Sequence, residues 1–182
     1  MEQLLLTIIT SALVATIAGA AINAWLESRK EKLFARFDAL SAAITLEGYA
    51  SACADAATDH FMARDSGGHA GGYIRSLPEF PEIEVAAGFI KSKKAKVADR
   101  LMFFPQEVRQ ADQVAHFLWD ATADMDIVHE AAVEQVIYIG LKAIDLASDL
   151  RKAFSLPKRE LVFGKYDIRE TLSKHLKKTE NA

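Results

Sequence analysis

The sequence predicts an all-α protein, with an N-terminal transmembrane helix followed by a cytosolic helical bundle. Three observations lead there. Residues 4–26 form a run of 23 residues with no charged side chain; at about 1.5 Å of rise per residue it spans roughly 35 Å, enough to cross a hydrocarbon core of about 30 Å. Beyond it, apolar residues recur at the three- and four-residue steps of a helix. Only four prolines interrupt the 182 residues, the first of them Pro78. The expected organisation is an anchor over 1–29 and a cytosolic domain over 30–182, with a glycine-rich loop near 65–81 and a basic C-terminal tail.

The anchor comes first. A cleaved signal peptide wants Lys or Arg ahead of its apolar stretch; Met1, Glu2 and Gln3 supply an acid and no base, although Ala18-Gly19-Ala20 has the composition of a cleavage site. Thr7, Thr10, Ser11, Thr16 and Asn23 dilute the run, as in a buried helix of a soluble protein. Length favours a retained span. Arg29, Lys30, Lys32 and Arg36 follow it and no base precedes it, so the short N-terminus is expected outside a bacterial inner membrane and the C-terminus in the cytoplasm. Trp25 stands where an interfacial aromatic belongs.

The body follows as one domain-sized unit. Leu33, Phe37, Leu40 and Ile44 continue the anchor at helical spacing, and an Ala-rich stretch carries the helix past Gly48 to about Arg64. Gly67, Gly68, Gly71 and Gly72, then Pro78 and Pro81, mark a mobile loop. A shorter helix is expected over 82–100. Pro105 suits the first turn of another, reaching about residue 123. Asp124 or Asp126 caps the next, over 127–154. Val133, Ile137 and Ile144 mark one face of it, and Val136, Ala143 and Leu150 another, so this helix should lie centrally. Gly140 inside it points to close contact with a second helix. Pro157 ends it. From Arg151 onward nine Lys/Arg face four Asp/Glu, and Asp167 is placed to cap a last short helix bearing Arg169 and His175. The segment 160–163 is too short to assign.

Composition bounds the chemistry. Without Glu2, 24 acids stand against 22 bases, which excludes a generally basic nucleic-acid binder but not a local basic patch. Cys53 stands alone, so no internal disulfide forms, in keeping with a reducing compartment, and it reads as a small packed side chain. No phosphate-loop, dinucleotide or zinc-type pattern is present, so no cofactor is expected. His129 and Glu130 diverge by 100° on a helix, which argues against a metal site with Glu134.

Three constellations remain. Glu2, Leu5, Ile9, Ala12, Thr16, Ala20, Asn23 and Glu27 share one face of the anchor. Its inner half is small or polar and both ends are acidic, so Thr16, Ala20, Asn23 and Glu27 are candidates to line a cation-favouring pore or a helix–helix seam. Lys91, Lys93, Lys94, Lys96 and Arg100 cluster within ten residues, as a phosphate-binding patch or a solvated helix face. Three Arg/His pairs, Arg64 with His69, Arg109 with His116 and Arg169 with His175, have the spacing in which Arg holds a phosphate while His moves a proton; Arg109 and His116 lie best, within one expected helix.

That last spacing is similar to the motif of the HEPN ribonucleases. The whole architecture resembles small membrane effectors of bacterial antiviral defence, on the strength of residues 4–26, the following Arg29-Lys30-Glu31-Lys32, and Arg109 with His116. The Hailong membrane effectors and the membrane accessory proteins of type VI-B CRISPR systems are two such families. The resemblance implies a homo-oligomeric ion channel or pore gated by its cytosolic domain. Its implied partners are membrane lipid, further copies of the chain, a nucleotide or oligonucleotide signal and a defence-system protein. A membrane-tethered ribonuclease using Arg109 and His116, and a non-catalytic membrane adaptor, are the alternative readings.

Overall fold

The computed structural model describes the backbone of residues 2–83, 94–122 and 124–179, and within them the side chains from residue 16 onward except at 115, 119 and 178. The architecture is all-α with one small hairpin. Lys91 and Lys93 lie outside the described residues.

Helix α1 runs unbroken from Glu2 to Asp65, 64 residues, or about 96 Å at the usual rise. Alanine dominates the side it buries: Ala35, Ala39, Ala42, Ala43, Ala50 and Ala57 are all buried there. Small side chains let a neighbouring backbone come close, and alanine favours helix. The apolar positions that continue the anchor pattern point the other way. Leu33, Phe34 and Phe37 are 66%, 68% and 69% exposed, and Ile44 is 47% exposed. At 100° per residue they lie opposite the alanine face.

Helix α2, Ala95–Ala121, contains Pro105 in its interior. The helix start expected at Pro105 therefore lies inside a longer helix, and most of the helix expected over 82–100 falls on residues 84–93, outside the described residues. Ala98, Leu101, Phe104, Val108 and Ala111 are buried at helical spacing on both sides of it, and burying that continuous stripe offsets the lost backbone hydrogen bond.

Helix α3, Met125–Ala153, packs against α1, α2 and the last helix, α4 (Ile168–Thr179). Asp124 is its N-cap, accepting from the Asp126 amide at 3.0 Å. At the other end the Leu156 amide donates to the Arg151 carbonyl at 2.8 Å and Ser155 takes a left-handed φ of 52°. This is the Schellman closure, made without glycine. Both apolar faces expected for α3 are buried, and its central place follows from them. A Cβ on Gly140 would sit 2.9 Å from Cys53 Cβ and 3.1 Å from Leu172 Cδ1, so the close contact is with α1 and α4 together.

β1 (Val162–Phe163) and β2 (Tyr166–Asp167) pair antiparallel through a turn with Gly164 at a φ of 63°. Helix α4, Ile168–Thr179, follows, with the Asp167 carboxylate accepting from the Glu170 amide at 3.0 Å. The glycine-rich segment is irregular but packed. The Gly72 amide donates to the Asp59 carbonyl, Ile74 and Leu77 are buried, and the Leu77 amide donates to Asp112 at 2.9 Å. Phe80 meets Tyr49 and Phe104 edge-on. Contacts between Arg36 and Ser155, Gly140 and Cys53, and His60 and His129 order α1 and α3 antiparallel. Arg100 with Asp149 and Lys142 with Glu107 do the same for α2 and α3.

Candidate functional site

The antiparallel order gathers charge at the end of the bundle from which the N-terminal part of α1 projects. Arg36 on α1, Lys94 at the start of α2, and Arg151, Lys152, Lys158 and Arg159 at and beyond the end of α3 meet there. The Arg36 guanidinium donates to the Ser155 carbonyl at 3.3 Å. Lys94 lies 3.8 Å from the centre of the Phe154 ring; burial, helped by nearby Arg36, holds its ammonium below the usual lysine range.

At the floor of this region Glu47 and Arg151 form a buried, two-pronged pair, Nε to Oε1 at 2.6 Å and Nη2 to Oε2 at 2.9 Å. The remaining edge of the guanidinium donates to the Pro157 carbonyl at 2.9 Å. Arg159 approaches the same carboxylate at 3.6 Å. An ion pair this well seated costs desolvation but holds its partners in one arrangement, and removing one member leaves the other buried and uncompensated. A cleft of about 550 Å³ opens above it, between α1, the end of α3 and the hairpin.

The expected lysine patch is divided by the fold. Arg100 is bound to Asp149, which also faces Lys152, while Lys96 is exposed. Arg109 is exposed on α2 beside a groove of about 520 Å³ lined by Leu77, Phe80 and Val108. His116, one heptad on, is exposed and lies 3.5 Å from Asp112. The two share a face of α2 without enclosing a pocket between them. In the other two pairs, Arg169 bonds Asp145 at 2.5 Å while His175 stacks on Phe61 at 4.3 Å, and Arg64 lies over Phe61 at 4.6 Å while His69 is exposed in the glycine turn.

Thr16, Ala20, Asn23 and Glu27 are all exposed along α1. The Arg29 guanidinium covers the Trp25 ring at 4.4 Å, a cation–π contact on the exposed surface of α1. Among the described residues no helix is long and apolar enough to cross a membrane. The side chains of residues 2–15, half of the expected anchor, fall outside that description.

At the far end of the bundle three of the five histidines converge, which spacing alone did not suggest. His60 and His129 approach at 6.4 Å between ring centres, Tyr73 stacks on His129 at 4.7 Å, and His60 meets Tyr73 edge-on at 5.7 Å. Burial, reinforced by His129, Arg64 and His175, lowers the His60 imidazole to about 4. His129 is lowered by burial and Arg75 against the opposing pull of Asp126. Among the described residues no group of three or more side chains is arranged to hold a metal ion. Cys53 is fully buried and its thiol is pushed up to about 12 by burial, so it packs and does not react.

The chain matches no family model, no curated protein and no solved structure. What it does is therefore read from geometry.

Proposed function

We propose that the chain is a homo-oligomeric membrane effector whose N-terminal helices assemble a gated pore in a bacterial inner membrane, in antiviral defence. The observation that carries the reading is the outward stripe of α1. Leu26, Leu33, Phe37, Leu40 and Ile44 recur at coiled-coil spacing, on the face opposite the bundle. Stepped back by heptads, the same seam passes through Lys30, Asn23, Gly19 and Thr16. Burying exposed leucines and phenylalanines stabilises by about 1.5–3 kcal/mol per fully covered side chain, and a buried Asn or Thr at such a seam sets register and subunit number. Ala20 and Glu27 flank the seam, as residues at a narrow, acidic-mouthed path would. The activating signal in this reading is a phosphate-bearing nucleotide or oligonucleotide taken up by the body.

Ion flux through liposomes holding the full chain tests the reading, with cross-linked oligomer size measured in parallel. Ala20→Leu should block flux or change the oligomer, and Glu27→Lys should lower cation preference. Absence of flux with oligomers intact would favour the membrane adaptor. RNA cleavage lost in Arg109→Ala and His116→Ala would favour the ribonuclease.

A further inference from the structure

We propose that the cleft above the Glu47–Arg151 pair is the seat of a phosphate-bearing ligand. The inference rests on the preceding reading only for what binding triggers; binding itself is measured apart from conduction. Five bases and three acids share the lining, and two of the acids are already committed. Glu47 is held by Arg151, Asp167 caps α4, and Glu160 lies 3.1 Å from Lys158.

The bases are differently placed. Arg151 is held through all three guanidinium nitrogens and serves as floor. Lys152, Lys158 and Arg159 are 78%, 84% and 49% exposed, with carboxylate partners at 3.9, 3.1 and 3.6 Å. The Lys152 and Lys158 pairs are exposed and worth at most about 1 kcal/mol, and Arg159 reaches a Glu47 carboxylate already held by Arg151, so a multiply charged phosphate draws these bases readily with charge-assisted hydrogen bonds. Ile144, Leu156 and Leu161 supply an apolar wall on the same cleft, suited to the uncharged part of the ligand. The volume lies within the roughly 300–1,000 Å³ of ordinary ligand sites. The basic C-terminal segment thus folds back to form this site's walls.

A free nucleotide and an anionic lipid headgroup present the same phosphate chemistry, and the cleft lies at the end from which the N-terminal part of α1 projects. The test uses the full chain in nanodiscs of phosphatidylcholine, with ADP titrated, and in nanodiscs containing phosphatidylglycerol. The readout is the apparent dissociation constant from thermal stabilisation. The expected result is saturable stabilisation in one arm, weakened about tenfold by Lys158→Gln with Arg159→Gln, the loss of roughly one charge-assisted hydrogen bond. Lys174→Gln with Lys177→Gln removes equal charge from α4 outside this lining and should change it less than about twofold. Stabilisation by ADP assigns a soluble nucleotide phosphate, and stabilisation by phosphatidylglycerol alone assigns the headgroup. No stabilisation in either arm, or equal weakening by both variant pairs, overturns the proposal.

Discussion

Gly48 and Gly140 invite the same substitution with opposite results. Both lie inside helices, where Gly→Ala gains about 1 kcal/mol of helix propensity. A Cβ on Gly48 meets nothing within 4 Å, so Gly48→Ala should stabilise by that amount. A Cβ on Gly140 would lie 2.9 Å from Cys53 Cβ. That atom is one bond from backbone and cannot swing aside, so α1 and α3 must part slightly. Overpacking of this kind costs about 1–3 kcal/mol, leaving Gly140→Ala neutral to about 2 kcal/mol destabilised. At roughly 2–4 °C per kcal/mol for a chain of this size, thermal unfolding in micelles should separate the variants by several degrees. Cys53→Gly in the Gly140→Ala background should recover part of the loss, a coupling of about 0.5–3 kcal/mol between touching sites. Equal stabilisation by both alanines, or additivity in the cycle, would refute the close approach of α1 and α3.

Other outcomes follow from the charges and the stripe. His60, about 4 when folded against an ordinary 6.5, stays neutral in the folded chain while the unfolded chain takes up a proton. Its share of stability is whole above pH 6.5 and falls by up to about 3 kcal/mol as pH drops toward 4; denaturant melts of His60→Leu should show a shallower limb, with the share of His129 remaining, and an unchanged limb counts against the buried neutral imidazole. Arg151→Met should cost about 3–5 kcal/mol by stranding Glu47, whereas Glu47→Leu with Arg151→Met should be far milder; equal losses in chemical denaturation would contradict the buried pair. If copies of the chain pair along the outer stripe of α1 as proposed, Phe37→Asp should leave helical circular dichroism intact and lower the oligomer size in analytical ultracentrifugation; an unchanged size removes the α1 seam.

Much of the helical frame was legible because its signals are local. Asp124 and Asp167 cap where short polar side chains before apolar runs should, and two apolar faces put α3 at the centre. Gly140 reported a neighbour without saying which. Pro105 misled because a proline states only a local cost, while the burial of Leu101 and Phe104 on either side of it is tertiary. Leu33 and Phe37 were visible as a stripe, but nothing local tells a stripe facing the core from one facing away; the alanines opposite them decide it. Glu47 and Arg151 are separated by 104 positions. Their only trace was a charge set among buried-face neighbours, Leu46 and Leu150, and that trace was open to notice. The histidine cluster joins α1, the glycine-rich segment, α3 and α4, and no spacing within one helix reports it.

The uninterrupted course of α1 makes it a lever. Its fulcrum lies where the alanine face is packed, from Ala35 onward, and its arm from Phe34 to Ala20 measures about 21 Å. Tilting the grip by about 8° sweeps the arm's end sideways by roughly 3 Å, close to the diameter of a water molecule. With no proline in the arm to absorb the bend, small repacking near Glu47 is magnified on its way to the apolar end. Inserting one residue between Leu26 and Leu33 would turn that end by about 100° relative to the bundle, uncoupling direction from grip while leaving every contact in the core in place.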